Sequence, residues 1–244
     1  MIHIGTTEAW ETKRFEILNM NRVKVSSRVL IRNQATESAA VKMLYELSHD
    51  HSFVLEGRVS WDQNMERGQF IKGQTLLKAS CQLHRRLGPG LVSPRYAEMT
   101  NGFLKVFSQV GYVTLEENVK TFWQVIDECF NVRGLDITDS APYMKDGFLK
   151  VLAELFSDHK DFWKGNKLTV STYLRRKLAL FSIHDPGVAH LCGASWAAQT
   201  TLYYYLETHL NKGRRRTGRL TKFEVTEFEG NDAPTNSSRF RTAA

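Results

Sequence analysis

The sequence predicts an α+β fold, mainly helical, with short N-terminal strands among helices and then a helical C-terminal region. Three observations predict it. Arg22–Ile31, rich in Val and Ile, and Ser52–Trp61 lie in the opening third and read as strands. From Gln74 onward apolar residues recur at spacings of three and four, the period of a helix face. The 244 residues, 42% hydrophobic and 24% charged, have an ordinary globular composition and can bury a core.

The elements follow in order. Glu16–Met20 offers a short neighbour for the Arg22–Ile31 strand. Asn33 and Thr36 can cap a helix beginning near Glu37, with Ala40, Met43, Leu44 and Leu47 on one face. The Ser52–Trp61 strand is broken or bulged at Gly57. Asp62–Gly73 is polar and reads as a loop, its Arg67 and Lys72 too few to claim phosphate. Gln74–Leu87 is a helix stopped by Gly88-Pro89-Gly90, and Pro94–Val110 is another. Thr114 and Glu117 have the spacing of a capping box for a helix through Phe130. Asn131–Pro142 reads as a connector, and Tyr143–Ser157 as an amphipathic helix. The expected organisation is an α+β region over 1–140, a helical region over 141–230 and a disordered tail over 231–244.

Several classes drop out on composition. No run approaches the roughly 18 apolar residues of a membrane helix. Met1–Ile17 lacks a basic segment followed by an apolar core, so no secretory signal is expected. Cys81, Cys129 and Cys192 are far apart, giving neither a disulfide framework nor a metal knuckle. An intracellular, reducing setting is expected, cytoplasmic or nucleoid-associated. No phosphate-binding or dinucleotide-binding glycine motif is present, and no cofactor or metal is expected.

The charge is concentrated. The chain carries +7, but Asp158–Lys222 holds 12 Lys or Arg against 4 Asp or Glu, while the remainder holds 21 against 22. A field confined to one quarter of the sequence points to a polyanionic partner.

That quarter has a pattern of its own. Ser171 can cap a helix to about Ser182, with Arg175, Arg176 and Lys177 facing solvent. Asp185-Pro186 sets a helix start, that helix ends near Gly193, and Ser195 caps a second one, Trp196–Leu210. Helix, Gly-containing turn, helix resembles a helix-turn-helix DNA-binding domain. Ala189, four before Gly193, matches its small residue at the helix crossing, and Gly193 its left-handed turn glycine. Leu202 matches a core position of that family, whereas Gln199 stands where it usually has another apolar residue. Lys212-Gly213-Arg214-Arg215-Arg216-Thr217-Gly218-Arg219 and the alternating stretch Leu220–Phe228 then resemble the basic loop and strand of a winged helix.

The resemblance implies nucleic-acid binding, with duplex DNA favoured over RNA or single-stranded DNA, and a homo-oligomer, commonly a dimer on two-fold sites. Lys212, Arg214, Arg215, Arg216, Arg219 and Lys222 would meet phosphates, and Arg175, Arg176 and Lys177 the flanking backbone. Ser195, Gln199 and Thr200 would approach base edges. Tyr203, Tyr204 and Tyr205 are consecutive and cannot share a helix face, so at least one packs inward and another is free to stack.

Catalysis finds no positive case. His49, Asp50, His51, Glu56 and Arg58 form a polar cluster, and Asp136, Asp139 and Lys145 another, both of ordinary surface type. His84, Arg85 and Arg86 read as a small solvated basic patch. The expected function is sequence-specific DNA binding, as in a transcriptional or replication regulator. The alternatives are a nucleoprotein, viral or from a mobile element, that coats RNA or single-stranded DNA, and a metal-dependent nuclease.

Overall fold

The computed structural model describes residues 7–14, 38–62, 65–88, 96–134, 145–182, 185–193, 195–215 and 218–224. The fold is α+β and mainly helical. After a short helix over residues 8–14 come α1 (Ala39–Leu47), β1 (Val59–Ser60), β2 (Ile71–Lys72), α2 (Gly73–Leu83), α3 (Tyr96–Val110) and α4 (Tyr112–Phe130). Then follow α5 (Asp146–Asp158), β3 (Trp163–Lys164), β4 (Lys167–Leu168), α6 (Thr172–Ala179), α7 (Pro186–Ala189) and α8 (Trp196–Asn211). The strands expected at Glu16–Met20 and Arg22–Ile31, and the tail expected from 231, lie outside the described residues.

Where sequence and structure differ, local packing gives the reason. Ser52–Trp61 is not one strand: turns run to Arg58, and only Val59–Ser60 pairs, in parallel with Ile71–Lys72. Phe53, Val54 and Leu55 are all buried, and three consecutive inward side chains suit a turn, whereas a strand alternates. Part of the expected 62–73 loop is thereby the partner strand. Ser38 caps α1, its hydroxyl oxygen accepting from Val41 N; Asn33 and Thr36 lie outside the described residues. Thr114 is not a cap but sits inside the first turn of α4. Gly111, at φ 84, ends α3 and starts α4 by itself, leaving no loop for a capping box.

Helix α5 occupies the middle. It has no fully solvated face: Phe148, Leu149, Val151, Leu152, Ala153, Leu155 and Phe156 are buried, against α2 on one side and α8 on the other. Leu202, Leu206 and Leu210 of α8 are fully buried in this contact. A single cluster of buried side chains runs from Ala40 to Leu210. At the start of α5 a side chain on Gly147 would meet the Gly193 carbonyl oxygen at 2.2 Å and that of Cys192 at 2.5 Å. The absence of a Cβ lets the turn before α8 lie directly on α5.

The patch expected at His84, Arg85 and Arg86 is not solvated. His84 is completely buried. Its Nδ1–H donates to the Ser80 carbonyl at 2.8 Å, and Asn118 Nδ2 donates to its Nε2 at 3.1 Å. Asn118 also donates to Asn166 O at 2.9 Å and accepts from Leu168 N at 2.7 Å. One buried histidine–asparagine pair therefore joins α2, α4 and the β3–β4 hairpin. Burial pushes the His84 pKa down to about 4, with Arg86 adding repulsion and the Ser80 bond opposing. Protonation would also set an N–H against the Asn118 amide donors.

Two predictions follow from this packing. The unfolded chain binds a proton at His84 near pH 6.5 and the folded chain only near 4, so this stability is complete above 6.5 and lost as pH falls toward 4. Urea unfolding at pH 7 and pH 4.5 should show a loss on the order of 2–3 kcal/mol that His84→Gln reduces. Gly147→Ala should destabilise by about 1–3 kcal/mol, because the added carbon meets backbone rather than a movable side chain.

Candidate nucleic-acid interface

The last turn of α5 builds the support for the basic segment. Arg85 reaches the Asp158 carboxylate through Nε at 3.0 Å and through Nη2 at 2.5 and 2.6 Å, and its Nη1 holds Glu154 at 2.6 Å. Tyr203 of α8 donates its hydroxyl to Asp158 Oδ2 at 2.9 Å. The Asp158 carbonyl accepts from Phe223 N at 2.9 Å, and Lys160 N donates to Thr221 O at 2.8 Å. The stretch expected as the wing strand thus bonds to the end of α5, with one antiparallel bridge, Lys222 to His159; 225–228 lie outside the described residues. His159 is buried, its Nε2 2.9 Å from Glu207, which also pairs with Lys222 at 3.2 Å.

The loop after α8 is closed at its base. Asn211 Oδ1 accepts from Leu220 N at 2.8 Å, and Asp161 Oδ2 accepts from Thr221 N at 2.7 Å. Arg214 folds back to Asp161 at 3.5 Å and lies over the Tyr173 ring, 5.5 Å from its centroid. Lys177 donates to Lys212 O at 2.8 Å and lies 6.0 Å from the same ring. These contacts bring α6 and the loop together at one corner of the molecule.

The expected site residues divide accordingly. Arg176, Lys212, Arg215, Arg219 and Lys222 are exposed. Arg175 is turned to structural use: it donates to Val170 O at 3.0 Å and pairs with Glu128 of α4. Arg214 and Lys177 shape the corner as described. Arg216 lies outside the described residues. Ser195 is exposed and caps α8, its oxygen accepting from Ala198 N at 3.2 Å. Thr200 donates to Trp196 O at 3.0 Å, and the Gln199 amide is half-buried with Nε2 3.5 Å from Gly193 O. Gln199 thus faces the turn it follows. Leu202 is buried as expected.

The turn differs from its expected form. Gly193 has φ −71, not a left-handed value, and a side chain there would make only ordinary contact, at 3.4 Å from His190 O. The helix before it is four residues plus one 3-10 turn, His190–Cys192, with Asp185 as cap and Pro186 opening it. The glycine that this junction requires is Gly147, on a different helix. Sequence spacing could not reveal it, because the contact is made 46 residues away.

Sequence reasoning missed Tyr173 and Trp196. Both are exposed, together with Tyr204 and Tyr205, while Tyr203 packs inward. The signal was available in part: Trp196 and Tyr204 stand eight apart on one helix, and Glu207 and His209 are its acidic and imidazole residues.

The polar residues of the first acidic cluster are engaged in local bonds. Asp50 accepts from Ser52 N and pairs with Lys120 at 3.0 Å, and these bonds hold its carboxyl at about 2. His51 contacts Glu56, and Arg58 donates to the carbonyls of Val132 and Arg133, both at 2.8 Å. Asp136 and Asp139 lie outside the described residues. Among the described residues no three His, Cys, Asp or Glu are grouped to hold a metal ion. Burial pushes the Cys81, Cys129 and Cys192 thiols up, away from the reactive thiolate. No helix among the described residues is long and apolar enough to cross a membrane. Comparison with protein-family models, curated proteins and solved structures gives no match.

Asp158→Ala should lower stability by on the order of 3 kcal/mol, since Arg85 is left largely buried without its main partner. Lys222→Ala, which removes a half-exposed pair, should change it by less than about 1 kcal/mol. Comparable urea midpoints for the two variants would show that Asp158 is not the structural junction.

Proposed function

We propose that the chain binds nucleic acid, holding the phosphate backbone on the corner formed by α6 and the loop after α8. The observation that carries this reading is the division of the basic residues. Arg175, Lys177 and Arg214 fix the corner, while Arg176, Lys212, Arg215 and Arg219 remain exposed on it. Asp161, the carboxylate that the loop reaches through Arg214, is also bonded by Thr221 N. Exposed guanidinium groups on a pinned loop gain by releasing phosphate counterions and lose little conformational freedom.

Of the two nucleic-acid readings, sequence-blind contact to the backbone is the better supported. A sequence-specific duplex regulator would read bases with Ser195, Gln199 and Thr200, and these side chains make internal bonds at the start of α8. Their bonds are local and Gln199 can rotate outward, so the duplex reading keeps a defined test. Gln199→Ala should alter a selected duplex motif if that side chain reads a base.

Binding of labelled single-stranded and duplex oligonucleotides should be followed by anisotropy across a salt series. Replacing Arg176, Lys212, Arg215 and Arg219 together by Ala should weaken binding to all sequences and flatten log K against log salt by roughly 3. The unaltered slope and affinity in that variant would refute the assignment of phosphate contact to this corner.

A further inference from the structure

We propose that the outer face of α8 is a base-stacking platform, and that the nucleic acid bound is single-stranded; this rests on the phosphate contact proposed above. A solvated helix face normally carries charged side chains. Here Trp196 and Tyr204 are 70% and 53% exposed, Tyr205, about 100° further round the helix, is 54% exposed, and Ala197, Thr201 and Thr208 are exposed with them. The acidic and imidazole side chains of the helix are held by internal partners: Glu207 by His159 and Lys222, and His209 by the Lys177 carbonyl at 2.7 Å. The outer face is therefore aromatic and uncharged along its length.

The platform is braced from beneath. Tyr204 meets Tyr203 edge to face, with centroids 6.0 Å apart at 87°. Tyr203 lies against the His159 ring at 6.4 Å and is fixed by its hydroxyl bond to Asp158. A ring held in this way stacks on a partner at little entropic cost. Trp196 lies just over two turns before Tyr204, about 12 Å along the axis and about 80° round it, leaving room for more than one base.

Charge complementarity selects the occupant. Lys222, exposed and paired with Glu207, lies 5.2 Å from the centroid of Tyr203, the ring beneath Tyr204. At its C-terminal end α8 runs directly into Lys212 and the exposed Arg215. Aromatic faces bordered by cations match a strand whose bases and phosphates alternate. They do not match duplex, whose base faces are already stacked on one another.

The test compares an oligothymidylate with a blunt duplex, using the full chain. Trp196→Ala/Tyr204→Ala should weaken single-strand binding about tenfold or more, with the salt slope and duplex affinity unchanged. Trp196→Phe/Tyr204→Phe, which keeps the rings, should restore most of the affinity. Undiminished single-strand binding by the Ala pair, while the four-residue basic variant binds weakly, would overturn the platform and leave the phosphate corner standing. Absence of oligonucleotide binding by the wild-type chain would overturn both. Sedimentation of the wild type as a dimer that the Ala pair converts to monomer would assign the face to a second copy of the chain and overturn the proposal.

Discussion

The Asp158 carboxylate is the junction on which the C-terminal architecture depends. Its two oxygens take the Arg85 guanidinium from the end of α2 and the Tyr203 hydroxyl from α8, and its backbone carbonyl takes Phe223 N. A half-buried carboxylate is costly to desolvate alone, and a charged, bidentate partner offsets that cost. Here the carboxylate's compensation comes from two separate stretches of chain, and the backbone carbonyl ties a third. Helix α2, helix α8 and the segment after the basic loop are consequently fixed relative to one another by one side chain and its own backbone.

The second buried junction holds the same end of α2, through His84. Asn118 donates to His84 and Asn166 and accepts from Leu168, so its amide is used on both sides. The hairpin thus held places the Trp163 ring 4.1 Å from the Arg86 guanidinium, which also lies 4.7 Å from the Phe223 ring. The interior polar network and the surface cation–aromatic contacts form one continuous support beneath the basic loop.

Much of the helical framework was legible in the sequence because its cause is local. Apolar spacing marks which face of a helix is buried, and Ser171, Asp185 and Ser195 cap their helices as their positions suggest. The strand expected at Ser52–Trp61 failed because three consecutive apolar residues can be buried by a turn as readily as by a strand buried on both sides. The candidate site was legible only as a composition. Arg175 and Arg214 look the same in sequence as Arg176 and Arg215, yet the first two have carboxylates within reach from α4 and from the stretch after α5.

By itself the sequence determined a mainly helical α+β chain, the caps of its C-terminal helices and the concentration of positive charge between Asp158 and Lys222. Periodicity, capping and charge are properties of neighbouring residues, and neighbours suffice to read them. Tertiary structure alone decided which cations are spent on internal carboxylates and which remain exposed, that Tyr203 turns inward while Tyr204 and Tyr205 do not, and that the glycine beneath the turn is Gly147. Each of those outcomes depends on a partner more than 40 residues away, and a partner at that distance leaves no mark in local sequence.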